Sequence, residues 1–289
     1  MFALRHLQKL PKNPVYTHRK ISQTSDLVTQ NLPNSDEGIT VFGFNRLQQK
    51  NSFGTKLVRE LQNAIQKINF DTTARVLIVR SLVPGVFCAG ADLKERLSMP
   101  QELVAQFVSN LRSIMDQIQN LPIPVIAALD GVAVGGGLEL SLACDIRVAA
   151  NDAKMGLVES KLAIIPGAGG TQRLPRLVGP SIAKELIFTA RVINGDHAYK
   201  LGVVNHVVPQ NTNRDAAYLK SLELAREILP NGPVAIRMAK KAINRGLEAD
   251  LSTGLAIEEA CYAQVIPTKD RLEGLQAFND KRKPNYIGQ

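Results

Sequence analysis

The stretch PVIAALDGVAVGGGLELSLACDIRVA, Pro124–Ala149, runs through a strand, a turn, a glycine cluster, an apolar segment and a second strand without a break. VIAAL is a continuous apolar run and IRVAA another short buried strand, as in a sheet covered by helices on both faces. Gly135, Gly136 and Gly137 between them make a poor helix interior. They make sense where backbone must approach a ligand or another segment, and Gly136 then presents an amide at a helix start. LELSLACD is too apolar for a surface helix, which leaves Glu139 as the odd residue. Burying a carboxylate is costly unless it is paired. Glu139 is therefore either tied to a buried arginine or chemically employed.

Reading outward, ARVLIVRS (Ala74–Ser81) is another strand with a continuous apolar centre, and GITVFGFNR (Gly38–Arg46) reads as a strand before it. Thr55 to Ile68 places Leu57, Val58, Leu61, Ile65 and Ile68 on one helical face. VPGVFCAGADLKER passes from a turn into a new helix, with Asp92 and Glu95 at capping-box-like spacing. CAGAD (Cys88–Asp92) puts the Ala91 amide at that helix entrance, where N–H groups lack internal acceptors and the dipole favours negative charge. An ordinary tight turn would look the same. Met99–Gln119 is a second helical region, and Ala153–Gly156 is a candidate strand.

MGLVESKLAIIPGAGGTQRLPR (Met155–Arg176) holds Glu159 between apolar segments. Alone it reads as a solvated loop residue. Paired with Glu139 it gains a meaning, since one carboxylate can take a proton from water while the other assists proton delivery. Gly167, Gly169 and Gly170 could pass for a phosphate loop, but GxxxxGK[ST] is missing. There is no GxSxG and no early GxGxxG unit. His197 and His206 fall in loop or strand text and read as structural, and Asp145 with Arg147 reads as a structural ion pair. From Asp215 onward the text is helical, over 215–229, 233–245, 251–265 and 268–279.

The 289 residues, 45% apolar and 21% charged, suffice for a full globular core and exclude a wholly disordered chain. Cys88, Cys144 and Cys261 cannot form a disulfide framework and have no histidines at metal spacing. Leu121–Leu138, the longest apolar stretch, is broken by Asp130 and dense in Gly and Pro, which argues against a membrane span. Thirty-five basic residues face 26 acidic ones. Five of the basic groups lie in residues 1–25, which contain no acid. That segment is hydroxyl-bearing, with Phe2, Leu4, Leu7 and Leu10 near helical period. It fits a mitochondrial transit peptide, the alternatives being a plain basic tail or an arm touching nucleic acid. The expected organisation is a transit peptide and flexible tail over 1–30, an α/β core over 36–208 and a helical region over 209–289, in the mitochondrial matrix.

GVFCAGADLKE, PVIAALDGVAVGGGLELSLACDIRVA and GLVESKLAIIPGAGGTQRLPR resemble the enoyl-CoA hydratase/isomerase, or crotonase, family from about residue 36 to the end. TGLAIEEACYAQVIPTKDRLEGLQAF resembles in particular its mitochondrial methylglutaconyl-CoA hydratase branch, which binds AU-rich RNA; the enoyl-CoA hydratase domain-containing proteins are also similar. The resemblance implies an α/β crotonase-like spiral of ββα units with a C-terminal helical trimerisation region, assembled as a homotrimer or dimer of trimers. It places two oxyanion-hole amides at Ala91 and Gly136, and two catalytic glutamates at Glu139 and Glu159. It implies that Ala89 and Asp92 line coenzyme A. Lys94 and Arg96 are candidates for its phosphates, and Phe278 and Lys281 for covering it; solvation, packing and solubility are the alternatives. No cofactor is implied, because coenzyme A enters as part of the thioester substrate.

The implied reaction is addition of water to a 2-enoyl-CoA. By resemblance the substrate is 3-methylglutaconyl-CoA of leucine degradation, with a general short-chain hydratase of fatty-acid oxidation as the competitor. Additional RNA binding is the other class of function. The matching stretch NSFGTKLVRELQNAIQKINFDTTARV keeps Lys56, Arg59, Lys67 and Arg75, but several family lysine positions read as Thr55, Asn63, Asn69, Thr72 and Thr73. Fewer cations mean weaker phosphate neutralisation.

Overall fold

The computed structural model describes residues 25–289. The chain first forms β1 (Leu27–Asn31), β2 (Ile39–Phe44), α1 (Thr55–Asn69) and β3 (Val76–Ser81). It continues through β4 (Val86–Cys88), α2 (Leu93–Leu97), α3 (Gln101–Gln119) and β5 (Val125–Leu129). Next come β6 (Val132–Val134), α4 (Gly136–Ala143), β7 (Ile146–Ala150) and β8 (Lys154–Gly156). A 3-10 turn (Glu159–Leu162) leads to α5 (Gly170–Val178), α6 (Pro180–Phe188), β9 (Ile193–Asn194), α7 (Gly195–Lys200) and β10 (His206–Val208). Last are α8 (Ala216–Ile228), α9 (Pro233–Gly246), α10 (Leu251–Val265) and α11 (Lys269–Asn279).

The strands make two sheets. The larger has the order β1-β2-β3-β5-β7-β10, parallel except for β1 against β2. The smaller has the order β4-β6-β8-β9, parallel except for β8 against β9. At β3–β4, β5–β6 and β7–β8 the chain steps from the large sheet to the small one. Helices carry it back, so the architecture is a spiral of ββα units. β3 and β5 read as continuous apolar runs because both faces of the large sheet are covered. On one side lie α1 and α3, with Leu61, Ile65, Ile114 and Ile118 in the main core. On the other side Ala217, Leu222 and Ala225 of α8 pack on Ile39, Val76, Ile78 and Ile126.

That second layer corrects the expected division at residue 209, since α8 is part of the body. The boundary at residue 30 also moves. Leu27–Asn31 is an edge strand paired with Thr40–Phe44, so the core begins before residue 36. The rest of the transit-peptide expectation lies outside the described residues. α9 is fastened to the body by Lys240 Nζ, which donates to Asp145 Oδ2 at 2.7 Å and the Ile123 carbonyl at 2.9 Å. α10 and α11 leave Leu251, Leu255, Tyr262, Leu272 and Phe278 exposed. Among the described residues, no helix is long and apolar enough to cross a membrane.

Candidate active site

Two backbone turns meet at the junction of the small sheet with α2 and α4. After β4 the chain turns at Gly90 with φ +89°; a Cβ there would stand 3.0 Å from the Val134 carbonyl and 3.5 Å from the Gly136 nitrogen. Phe53 brackets the next residue. Its N–H donates to Gly90 O at 2.7 Å, and its carbonyl accepts from Asp92 N at 3.1 Å. Ala91 between them has its direction fixed while its own N–H reaches no acceptor among the described residues. Asp92 caps α2, accepting from Glu95 N at 3.3 Å, and pairs with Arg46 at 2.8 Å. Burial pushes its pKa up, but these bonds outweigh it and hold the carboxyl below its ordinary range.

The second turn opens α4. Gly136 is its first helical residue, and its N–H also has no acceptor among the described residues. Gly137 is required by closeness, because a Cβ there would lie 2.2 Å from the Cys88 carbonyl. The Phe53 ring covers Gly136, standing 3.2 Å from a Cβ built there. At the far end of α4, buried Arg147 donates to the carbonyls of Ser141 (3.2 Å), Cys144 (2.7 Å) and Val203 (2.8 Å). The expected Asp145–Arg147 ion pair is thus replaced by Asp145–Lys240 and a guanidinium that caps carbonyls. His197 also departs from expectation, sitting in α7.

Glu139, only 2% exposed, projects from the first turn of α4. Its Oε1 accepts from Ala168 N at 2.8 Å and Gly170 N at 2.7 Å. Two backbone amides therefore take the place of the buried arginine that was one of the two alternatives for Glu139. Arg112 and Arg173 brace this loop from behind, donating to Gly167 O and Ala168 O, each at 3.0 Å. Burial raises the Glu139 pKa, while the Gly170 and Ala168 amides and the two arginines oppose the rise. Glu159 begins the 3-10 turn. Its Oε1 lies 3.3 Å from a Cβ built on Gly135, and its Oε2 is buried without a hydrogen-bond partner among the described residues. Burial, reinforced by the charge of Glu139, pushes its pKa up to about 7. The site thus holds one carboxyl group supported by two amides beside another whose pKa is raised to about 7.

The structure therefore brings Ala91, Gly136, Glu139 and Glu159 together. Ala89 lies on the same turn and donates to Lys50 O at 3.1 Å, while Lys94 is exposed on α2. Phe278, 87% exposed, and Lys281 sit at the end of α11, which has no substantial packing on α2, α4 or the Glu159 turn. Of the basic residues in the stretch compared with an RNA-binding helix, Lys56 pairs with Asp26 and Arg75 donates to the carbonyls of Leu229 and Asn231. Sequence reading missed Phe53 and the loop amides. Gly167, Gly169 and Gly170 were visible as an anion-binding pattern, but the anion is the protein's own Glu139.

Residues 34–289 match the family model of enoyl-CoA hydratase/isomerase. The human mitochondrial methylglutaconyl-CoA hydratase is 60% identical over 264 residues, covering 91% of this chain and 78% of that protein. The human mitochondrial enoyl-CoA hydratase domain-containing protein 2 is 52% identical over 92% of this chain and 91% of its own. Among solved structures, the enoyl-CoA hydratase of Bacillus anthracis superposes with a TM-score of 0.87 at 48% identity, covering 92% of this chain and all of that one. With this sequence match and this fold, the chain belongs to the enoyl-CoA hydratase/isomerase family.

Proposed function

We propose that the protein adds water to 2-enoyl-CoA thioesters and that its substrate is 3-methylglutaconyl-CoA, converted to 3-hydroxy-3-methylglutaryl-CoA in leucine degradation. The observation that carries the hydratase reading is the convergence of two unlike carboxyl groups on two amides without acceptors among the described residues. The thioester oxygen would accept from Ala91 and Gly136 N–H. Glu139 takes a proton from a water held between the two glutamates, and the oxygen bonds to C3. The C2=C3 electron pair moves toward the thioester oxygen, giving an enolate held by the two amides. Protonated Glu159 delivers its proton to C2, and proton transfer between the glutamates resets the site. Each oxyanion donor contributes about 3 kcal/mol to such a step, roughly a hundredfold in rate.

The branched substrate is supported by the 60% identity with the human methylglutaconyl-CoA hydratase. A mitochondrial matrix location is supported by the basic, acid-free first 25 residues and by the mitochondrial relatives. Assembly as a homotrimer or dimer of trimers is supported by the exposed apolar faces of α10 and α11. The test is kcat/KM of the purified protein for 3-methylglutaconyl-CoA against crotonyl-CoA. A preference of about tenfold or more for the branched substrate is expected. Preference for crotonyl-CoA would replace it with a general short-chain hydratase, and turnover of neither would overturn hydration itself.

A further inference from the structure

We propose that Arg96 binds a carboxylate at the far end of the acyl group, which makes dicarboxylic enoyl-CoA thioesters the substrate class of this site. The inference rests on the hydratase reading above and adds the residue that reads the acyl chain. Its starting point is an orphaned donor. Arg96 Nη1 is buried and has no hydrogen-bond partner among the described residues, and its guanidinium carbon lies 4.8 Å from the centre of the Phe107 ring. A buried N–H of a cation is costly unless something accepts from it, and an aromatic face offers only partial compensation.

Its place in the fold says what that acceptor would be. Arg96 is in α2, the helix that opens just after the Ala91 amide. Helical side chains lean toward the N-terminus, so Arg96 leans back toward the thioester end. Phe107, on which it stacks, belongs to α3. One residue on, the Val108 side chain stands 2.9 Å from a Cβ built on Gly167, and Arg112 donates to Gly167 O at 3.0 Å. Gly167 precedes Ala168, whose amide holds Glu139. Arg96 therefore sits one turn beyond the Ala91 amide and stacks on α3, the helix that also braces the Glu139 loop.

The neighbouring cations differ from it. Arg112 and Arg173 are committed to loop carbonyls, with Arg173 also on Asp116 at 2.6 Å, and Lys94 is exposed. Arg96, by contrast, has a buried donor that meets no acceptor among the described residues. A phosphate of coenzyme A would be met at the solvent rim, whereas a buried donor suits the end of the acyl group. A guanidinium can hold that carboxylate through two parallel bonds, which an ammonium cannot do.

The test compares wild type, Arg96→Met and Arg96→Lys. Methionine fills the space beside Phe107 without an orphaned donor. For 3-methylglutaconyl-CoA, kcat/KM is expected to fall about 30-fold in Arg96→Met and less in Arg96→Lys, while crotonyl-CoA hydration stays within about twofold. Glutaryl-CoA and butyryl-CoA, compared as inhibitors of crotonyl-CoA hydration, give a second readout. Wild type should bind glutaryl-CoA more tightly, and Arg96→Met should lose that advantage. This arm stands even if wild type does not turn over the branched substrate, so the two proposals fail separately. Equal losses on all thioesters would make Arg96 a coenzyme A contact or a structural residue. Unchanged ratios in both arms would also overturn the proposal.

Discussion

Glu159→Gln should make the protein more stable and nearly inactive, with the stability gain dependent on pH. Burial, and then the charge of Glu139, raise this carboxyl from 4.5 to about 7 in the folded protein. Between those values the folded state keeps a proton that the unfolded state has released, so stability falls as pH rises through the window. The full displacement corresponds to about 3 kcal/mol, at roughly 1.4 kcal/mol per pKa unit. The side chain is partly exposed, and solvent screening reduces the expected contribution to about 1.5 kcal/mol. Glutamine carries no charge to desolvate. Wild type and variant should therefore unfold alike near pH 4.5 and separate above pH 7, the variant melting roughly 3 °C higher. The assay is thermal unfolding across pH at one protein concentration, with crotonyl-CoA hydration measured alongside. Hydration should fall by about a thousandfold. A variant less stable than wild type at pH 8, or an offset equal at both ends of the range, would refute the claim that Glu159 is a desolvated, proton-holding acid.

The same carboxyl shapes the activity profile. kcat/KM for hydration should decline on the alkaline side with an apparent pKa of about 7, as Glu159 loses the proton it must donate; a rate still rising through pH 8 would contradict that role. Gly137→Ala forces a Cβ to 2.2 Å from the Cys88 carbonyl and should cost about 3 kcal/mol in denaturant unfolding. A neutral result there would show that α4 and β4 are free to separate. Arg147→Met removes the donor to three carbonyls and should also cost about 3 kcal/mol, again read by denaturant unfolding.

Much of this molecule was legible in the amino-acid sequence, for identifiable reasons. β3 and β5 are apolar from end to end because helices cover both faces of the sheet, and such runs stand out. The helices after Asp215 show in their composition and proline punctuation. What a helix packs against does not show, so α8 read as part of an outer layer although Ala217, Leu222 and Ala225 complete the core. β1 was invisible because LVTQN is an edge strand with only Leu27 buried. Glu139 was conspicuous as a charge within LELSLACD, whereas Glu159 acquired significance only beside it. The partner of Glu139 could not be read, because backbone amides leave no side-chain signature. Gly167–Gly170 displayed the right physics, amides free to meet an anion, without indicating that the anion lay inside the protein. Arg96 read as a solvated helix residue because its burial depends on Phe107, which reaches it only in the fold.

The central claim is that Glu139 and Glu159 act on one water as a unit beside the Ala91 and Gly136 amides. The most direct measurement is crotonyl-CoA hydration by Glu139→Gln, Glu159→Gln and the double variant, each shown to be folded. If the two work on the same step, each single change should cost about a thousandfold and the double variant little more. Losses that multiply in the double variant, or a single variant that retains wild-type rates, would contradict the account.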